Sequence, residues 1–178
     1  TFTPISSLSD AIRKQTIVIN GVSKTYAMTG WRVGFAVGEP EIISGMAKII
    51  SQTTSNLTSV SQYAAIEALT GDQSSIEEMR QAFEERLNTI YPLLAEVPGF
   101  EVIKPQGAFY LFPNVKKAME IKGYTDVNDF TNAILEEAEV ALVTGAGFGA
   151  PENIRLSYAT DLDILKEAVR RIKAFMEK

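Results

Sequence analysis

The stretch Asn20-Gly21-Val22-Ser23-Lys24-Thr25-Tyr26-Ala27-Met28-Thr29-Gly30-Trp31-Arg32-Val33-Gly34 decides how this chain reads. Lys24 follows a short apolar run, Thr16-Ile17-Val18-Ile19, and Arg32 stands eight positions further on. A brief apolar run bounded by turn residues predicts a buried strand, here over residues 17–20, ended by the Asn20-Gly21 turn signal. Residues 33–37 predict a second strand, closed by Gly38-Glu39-Pro40. A lysine just past a strand end stands where ligands bind in open α/β sheets. Its small or neutral neighbours allow partial burial of the amine. Burial disfavours the ammonium form and makes the nitrogen nucleophilic toward a carbonyl. Arg32 acts in the same direction, and Gly30 and Gly34 allow close approach of backbone and ligand. Such a pair suits an aldehyde held covalently beside a neutralised phosphate.

Other motifs fail on these residues. Lys24-Thr25 imitates a P-loop, but Ser23 precedes the lysine and the spacing to an earlier glycine is wrong. A Ser-x-x-Lys nucleophile is excluded because Gly21 stands three before Lys24. Gly145-Ala146-Gly147-Phe148-Gly149-Ala150 imitates a dinucleotide fingerprint. Pro151 and a strand-like segment follow it, where the mechanism needs a helix N-terminus.

Composition narrows the chemistry. The 178 residues carry a net charge of -5, which argues against a nucleic-acid footprint. No apolar run reaches the length of a membrane span, and Thr1-Phe2-Thr3-Pro4 has none of the regions of a secretory signal. The chain contains neither cysteine nor histidine, so disulfides, thiolate nucleophiles, histidine triads and the common zinc sites are absent. Catalysis must use Lys, Arg, Asp, Glu, Tyr, Ser, Thr or a cofactor. A cysteine-free acidic chain fits a cytoplasmic location.

Helices are predicted over residues 41–51, 59–69 and 74–96, the last with a Ser75/Glu78 capping box and a kink expected at Pro92. Its apolar positions are Met79, Phe83, Leu87, Ile90 and Leu94. Strands follow at 100–103 and 108–112 about a Pro105-Gln106-Gly107 turn, then a helix at 126–138, strands at 140–143 and 153–158, and a closing helix at 161–176. Interleaved strands and helices give an α/β or α+β class. The expected domains are residues 1–73, the last portion of a larger sheet domain, and 74–178, a small domain entered through a linking helix at 74–97. Two strands alone make too small a sheet to stand independently.

The segment from Gly21 to Gly34 resembles the lysine-attachment signature of the class I and II aminotransferases, fold-type I pyridoxal phosphate enzymes. Gly21, Val22 and Ser23 fit the positions before the lysine, Ala27, Met28 and Gly30 the small and apolar ones. Pro105-Gln106-Gly107-Ala108-Phe109-Tyr110 is similar to the family's small-domain strand entry. Asn153-Ile154-Arg155-Leu156-Ser157-Tyr158-Ala159 is similar to its substrate-carboxylate segment. The Met-Thr-Gly-Trp-Arg wording is nearest to the bacterial aspartate/prephenate subgroup.

The resemblance implies a fold-type I α/β architecture: a small α+β domain plus the last strands and helices of the cofactor domain. It implies that Lys24 is the Schiff-base lysine and proton-transfer base for pyridoxal 5′-phosphate. Arg32 would grip the cofactor phosphate, Ser23 would assist there, and Arg155 would hold the substrate α-carboxylate. It further implies amino acid and 2-oxo acid substrates, the donor aspartate-like or aromatic, and a homodimer.

The sequence departs from the family at three places. Gly21 stands where many relatives have a phosphate-contacting serine, and Thr144-Gly145 replaces a common Pro-Gly. Ser51 and Gln52 stand near the place of the arginine that aspartate-specific enzymes use for a second carboxylate. The acidic partner of the pyridine nitrogen, the ring-stacking aromatic and the cofactor-contacting tyrosine are expected upstream of Thr1. The chain is thus expected to be a C-terminal fragment, inactive alone. Two alternatives remain: a carbon–sulfur β-lyase on the same fold, and a non-catalytic dimerisation or regulatory module.

Overall fold

We describe the chain from a computed structural model, over residues 2–178. It divides into two compact units, Thr1–Glu77 and Glu78–Lys178.

In the first unit a short helix, α1 (Asp10–Lys14), is capped by the Ser9 hydroxyl, which accepts from the Ile12 N–H at 3.2 Å. Strands β1 (Val18–Gly21) and β2 (Gly34–Val37) pair antiparallel, with Val18 opposite Val37 and Gly21 opposite Gly34. Asn20-Gly21 is therefore the last rung of a strand and not the turn that the dipeptide predicts. Helices α2 (Pro40–Thr53) and α3 (Ser59–Thr70) follow. Pro40 opens α2 because its fixed φ suits the first turn and its missing N–H has no partner to lose there.

Burial in this unit is sparse. Val22, Val33 and Ala65 form its buried cluster, with Tyr26 and Met28 packed against them. The apolar residues of α2 follow helical spacing, yet none is buried, and Ile49 is 67% exposed.

The second unit holds the main core. Helix α4 (Ser74–Ala95) straddles the division and continues through Pro92. Ile90 and Leu94 are buried as the spacing predicts, with Phe83 and Leu87 packed beside the core. The predicted Ser75/Glu78 capping box is replaced by Asp72, which accepts from the Ser74 N–H at 3.1 Å and from the Ser74 hydroxyl. Those hydrogen bonds hold the Asp72 carboxyl below the ordinary carboxylate range. A carboxylate two residues ahead of the first turn satisfies one of its orphan donors.

Strands β3 (Tyr110–Leu111), β4 (Val143–Thr144) and β5 (Ile154–Ser157) form an antiparallel sheet in the order β3-β5-β4. They are shorter than predicted. The segment at 100–103 contributes a single bridge, Glu101 to Asn114. Ala108 takes a left-handed φ of 60°, which delays β3 until Tyr110. Glu139 ends its helix at φ 54°, and Val140 turns into the core instead of starting a strand.

Helix α5 (Lys116–Lys122), unforeseen in the sequence, is closed by Gly123 in the left-handed conformation. Helices α6 (Val127–Ala138) and α7 (Leu162–Glu177) begin where predicted, each capped by an aspartate. Asp126 accepts from the Asn128 N–H at 2.7 Å, and Asp161 from the Asp163 N–H at 2.9 Å. Leu165, Val169, Ile172 and Phe175 of α7 are buried on one face, as the 3.6-residue period requires. Among the described residues no helix is long and apolar enough to cross a membrane.

Candidate active site

β1 and β2 carry the long loop between them on two buried feet. Val22 is fully buried, Val33 nearly so, and the Val22 N–H donates to the Val33 carbonyl at 3.3 Å. Beyond Val22 the backbone turns. The Tyr26 N–H reaches the Val22 carbonyl and the Ala27 N–H the Lys24 carbonyl, each at 3.3 Å. With Val22 turned inward and Tyr26 and Met28 packed on the small core, Lys24 and Thr25 come to the outside and Ser23 is half-buried.

The far end of the loop is a 3-10 turn, Thr29–Trp31, followed by Arg32 at φ 56° and ψ 48°. A left-handed conformation costs a non-glycine residue about 1–2 kcal/mol. Ala27 shares it, at φ 53°. Two contacts hold the bend. Arg32 Nη1 donates to the Thr29 carbonyl at 2.8 Å, and the Ser61 hydroxyl donates to the Trp31 carbonyl at 3.0 Å. Ser61 lies buried on the first turn of α3. Sequence reasoning missed it. The available signal was its spacing of four from Ala65, which puts two small residues on one packed helix face.

Ser23, Lys24, Thr25 and Arg32 line a single cleft of about 420 Å³, with Asn20, Gly21, Val33 and Gly34 completing its wall. The lining brings an amine, a guanidinium and two hydroxyls together, with no carboxylate among them. Of the five guanidinium N–H donors of Arg32 one is used within the loop, and the others have no hydrogen-bond partner among the described residues. That donor set fits an anion bearing a carbonyl.

Within this chain the Lys24 side chain is exposed.

Arg155 belongs to the second unit. The strand alternation of β5 puts Ile154 and Leu156 into the core and Arg155 on the opposite face, half-buried. Its guanidinium carbon lies over the Tyr110 ring at 4.4 Å and over the Phe148 ring at 4.8 Å. Its side chain makes no hydrogen bond or ion pair with any described residue.

The profile of the family described as aminotransferase class I and II matches residues 1–172. The chain belongs to the class I and II aminotransferases. It is 77% identical over 177 residues to the asparagine–oxo-acid transaminase of Streptococcus mutans, covering 99% of this chain and 45% of that protein. To the aspartate aminotransferase of Bacillus subtilis it is 58% identical over 174 residues, covering 98% of this chain and 44% of that one. The crystal structure of the aspartate aminotransferase from Rhizobium meliloti superposes with a TM-score of 0.90 at 37% identity, over 99% of this chain and 45% of that chain. The chain therefore spans a little under half the length of these relatives, and its α/β architecture is the aminotransferase fold over that portion.

Within the aminotransferase motif, the departure at Gly21 has a local cause. A Cβ there would stand 2.9 Å from the Val33 carbonyl oxygen, because Gly21 and Gly34 close the strand pair. At Gly30, by contrast, a Cβ would meet nothing within 4 Å. The glycine-rich segment after β4 is a 3-10 turn, Ala146–Phe148, in keeping with rejection of the dinucleotide fingerprint.

Proposed function

We propose that the polypeptide carrying this chain is a pyridoxal 5′-phosphate-dependent transaminase. It moves an amino group from asparagine or aspartate to a 2-oxo acid. The observation that carries this reading is the gathering of Lys24, Ser23 and Arg32 on one cleft at the end of β1. Arg32 binds the phosphate through charge-assisted hydrogen bonds, and Ser23 adds one hydroxyl donor. Lys24 Nζ would hold the cofactor through its aldehyde carbon, with loss of water, and would serve as the base that moves a proton from and to the substrate Cα. Bound there, the cofactor supplies the electron sink that makes loss of that proton feasible. Arg155 fixes the substrate α-carboxylate in a bidentate fork, which aligns the Cα–H bond with the base.

Two features support the choice of donor. The Streptococcus mutans relative is named for asparagine, and at Ser51 and Gln52 this chain offers a hydroxyl and an amide instead of a cation for a second carboxylate. A homodimer belongs to the same proposal, as the resemblance to the family implies. We place its work in the cytoplasm, where an acidic chain without cysteine needs no disulfide. The domain limits 1–73 and 74–178 belong to the same proposal.

The test is a product assay on the intact protein with L-asparagine or L-aspartate. Equimolar conversion of the donor to its 2-oxo acid and of the acceptor to an amino acid is expected. Pyruvate and ammonia released without an acceptor would replace this reading with the β-lyase.

A further inference from the structure

We propose that Phe148, with Tyr110, is a positioning residue for Arg155: the two rings fix the guanidinium so that its hydrogen-bonding edge meets the substrate carboxylate. The inference rests on the assignment of Arg155 above. Alternation along the strands builds half of the arrangement. Leu111 of β3 is fully buried, so its neighbours Tyr110 and Phe112 face away from the core, as Arg155 does on β5. The register, Tyr110 opposite Ser157, sets Tyr110 diagonally across from Arg155. Diagonal cross-strand neighbours lie within reach of aromatic and long side chains.

The other half comes from the 3-10 turn at Ala146–Phe148. Its backbone is closed by Phe148 N–H to the Gly145 carbonyl at 2.9 Å and Ala150 N–H to the same carbonyl at 3.0 Å. Gly145 N–H donates to the Asn153 carbonyl at 2.7 Å, two residues before Arg155. A Cβ on Gly145 would fall 2.3 Å from the Ala150 carbonyl oxygen, so the turn admits no larger residue and is locked to the base of β5. The Phe148 ring is further braced by Phe112, edge to face at 6.1 Å and 86°.

The ring faces therefore hold a cation that has no carboxylate or carbonyl partner of its own among the described residues. Cations over ring faces keep their N–H groups, which lie in the guanidinium plane, available for hydrogen bonding. A protein carboxylate at this place would orient the arginine but would occupy the edge that the substrate needs. Two aromatic faces orient it and leave the edge open.

The experiment compares F148A, F148L, F148Y, R155A and the R155A/F148A double variant of the intact enzyme. KM and kcat for the amino acid donor and the melting temperature are measured for each. F148A and F148L should raise KM about tenfold with kcat changed less than about twofold, and F148Y should return KM to near the wild-type value. On the R155A background, F148A should add nothing, since the two act as one unit. If R155A raises KM but F148A does not, or if the two effects multiply, the positioning role is wrong and the carboxylate assignment stands. If R155A leaves KM unchanged, the carboxylate assignment falls and the positioning role with it. Phe148 is 54% exposed, so its truncation should leave the melting temperature unchanged. Recovery by Leu as complete as by Tyr would reduce the contact to shape alone and overturn the role of the ring face.

Discussion

Gly21 faces Gly34 across the last rung of the β1–β2 pair, and a methyl group on Gly21 would stand 2.9 Å from the Val33 carbonyl oxygen. That oxygen accepts from the Val22 N–H, so the obstructing atom belongs to the foot of the lysine loop. Gly21→Ala must push backbone against backbone. It should cost about 1–3 kcal/mol of stability and weaken cofactor binding with it. Thermal unfolding and a cofactor titration of the intact protein check both, and unchanged values would contradict the proposed packing.

Ser61 secures the other foot. Removing its hydroxyl leaves the Trp31 carbonyl without its donor at a partly buried place, next to the left-handed Arg32. Ser61→Ala is expected to cost about 1–2 kcal/mol and to weaken phosphate-dependent binding. Inorganic phosphate competing with the cofactor provides the second readout. A variant with lower stability but unaltered phosphate competition would show that Ser61 supports the fold and not the Arg32 bend.

Two glycines of the second unit separate steric from conformational requirements. Gly99 has φ +78°, and a Cβ on it would meet the Ala118 amide nitrogen at 2.5 Å. Gly123 has φ +76° with nothing within 4 Å. Gly99→Ala should lose more than about 2 kcal/mol, against about 1 kcal/mol for Gly123→Ala, which carries the backbone term alone. Urea unfolding measures the difference; equal losses would mean that the turn at Gly99 has room to relax.

Acid should weaken the α7 surface network. Hydrogen bonds from Arg170 and then Arg171 hold the Glu167 carboxyl at about 2, below its ordinary 4.5. Arg171 also reaches Glu139 at 2.7 Å. A carboxyl acidified by folding contributes stability above its unfolded value and loses it as the pH falls through the folded one. Stability should therefore decline between about pH 4.5 and 2, and less steeply in Glu167→Gln. The group is solvent-exposed, so the difference should be small and should shrink with added salt. Unfolding curves across that range, at low and high salt, check the slope.

Much of this was legible in the residues because the signals were local. Two helices are expected to begin at Asp126 and Asp161 and do so, and the apolar period of Leu162, Leu165, Val169, Ile172 and Phe175 matches the buried face of α7. The lysine motif identified the family. What escaped depended on contacts distant in sequence or on single backbone conformations. The left-handed Ala108 and Glu139 shortened two strands, and nothing in an alanine or a glutamate advertises that conformation. Helix α5 is brief and largely polar, so it shows little period. Ser61 acts through Trp31, thirty positions away. The aromatic setting of Arg155 required the strand register and a folded turn together.

The central claim is that Lys24 is the amine that carries the cofactor. The intact protein, incubated with pyridoxal 5′-phosphate, is reduced with borohydride, digested and sequenced by mass spectrometry. The account predicts the reduced cofactor on the peptide containing Lys24 and its loss in Lys24→Ala, with Lys14 and Lys48 unmodified. A stoichiometric adduct on another lysine, or none at all, would contradict it.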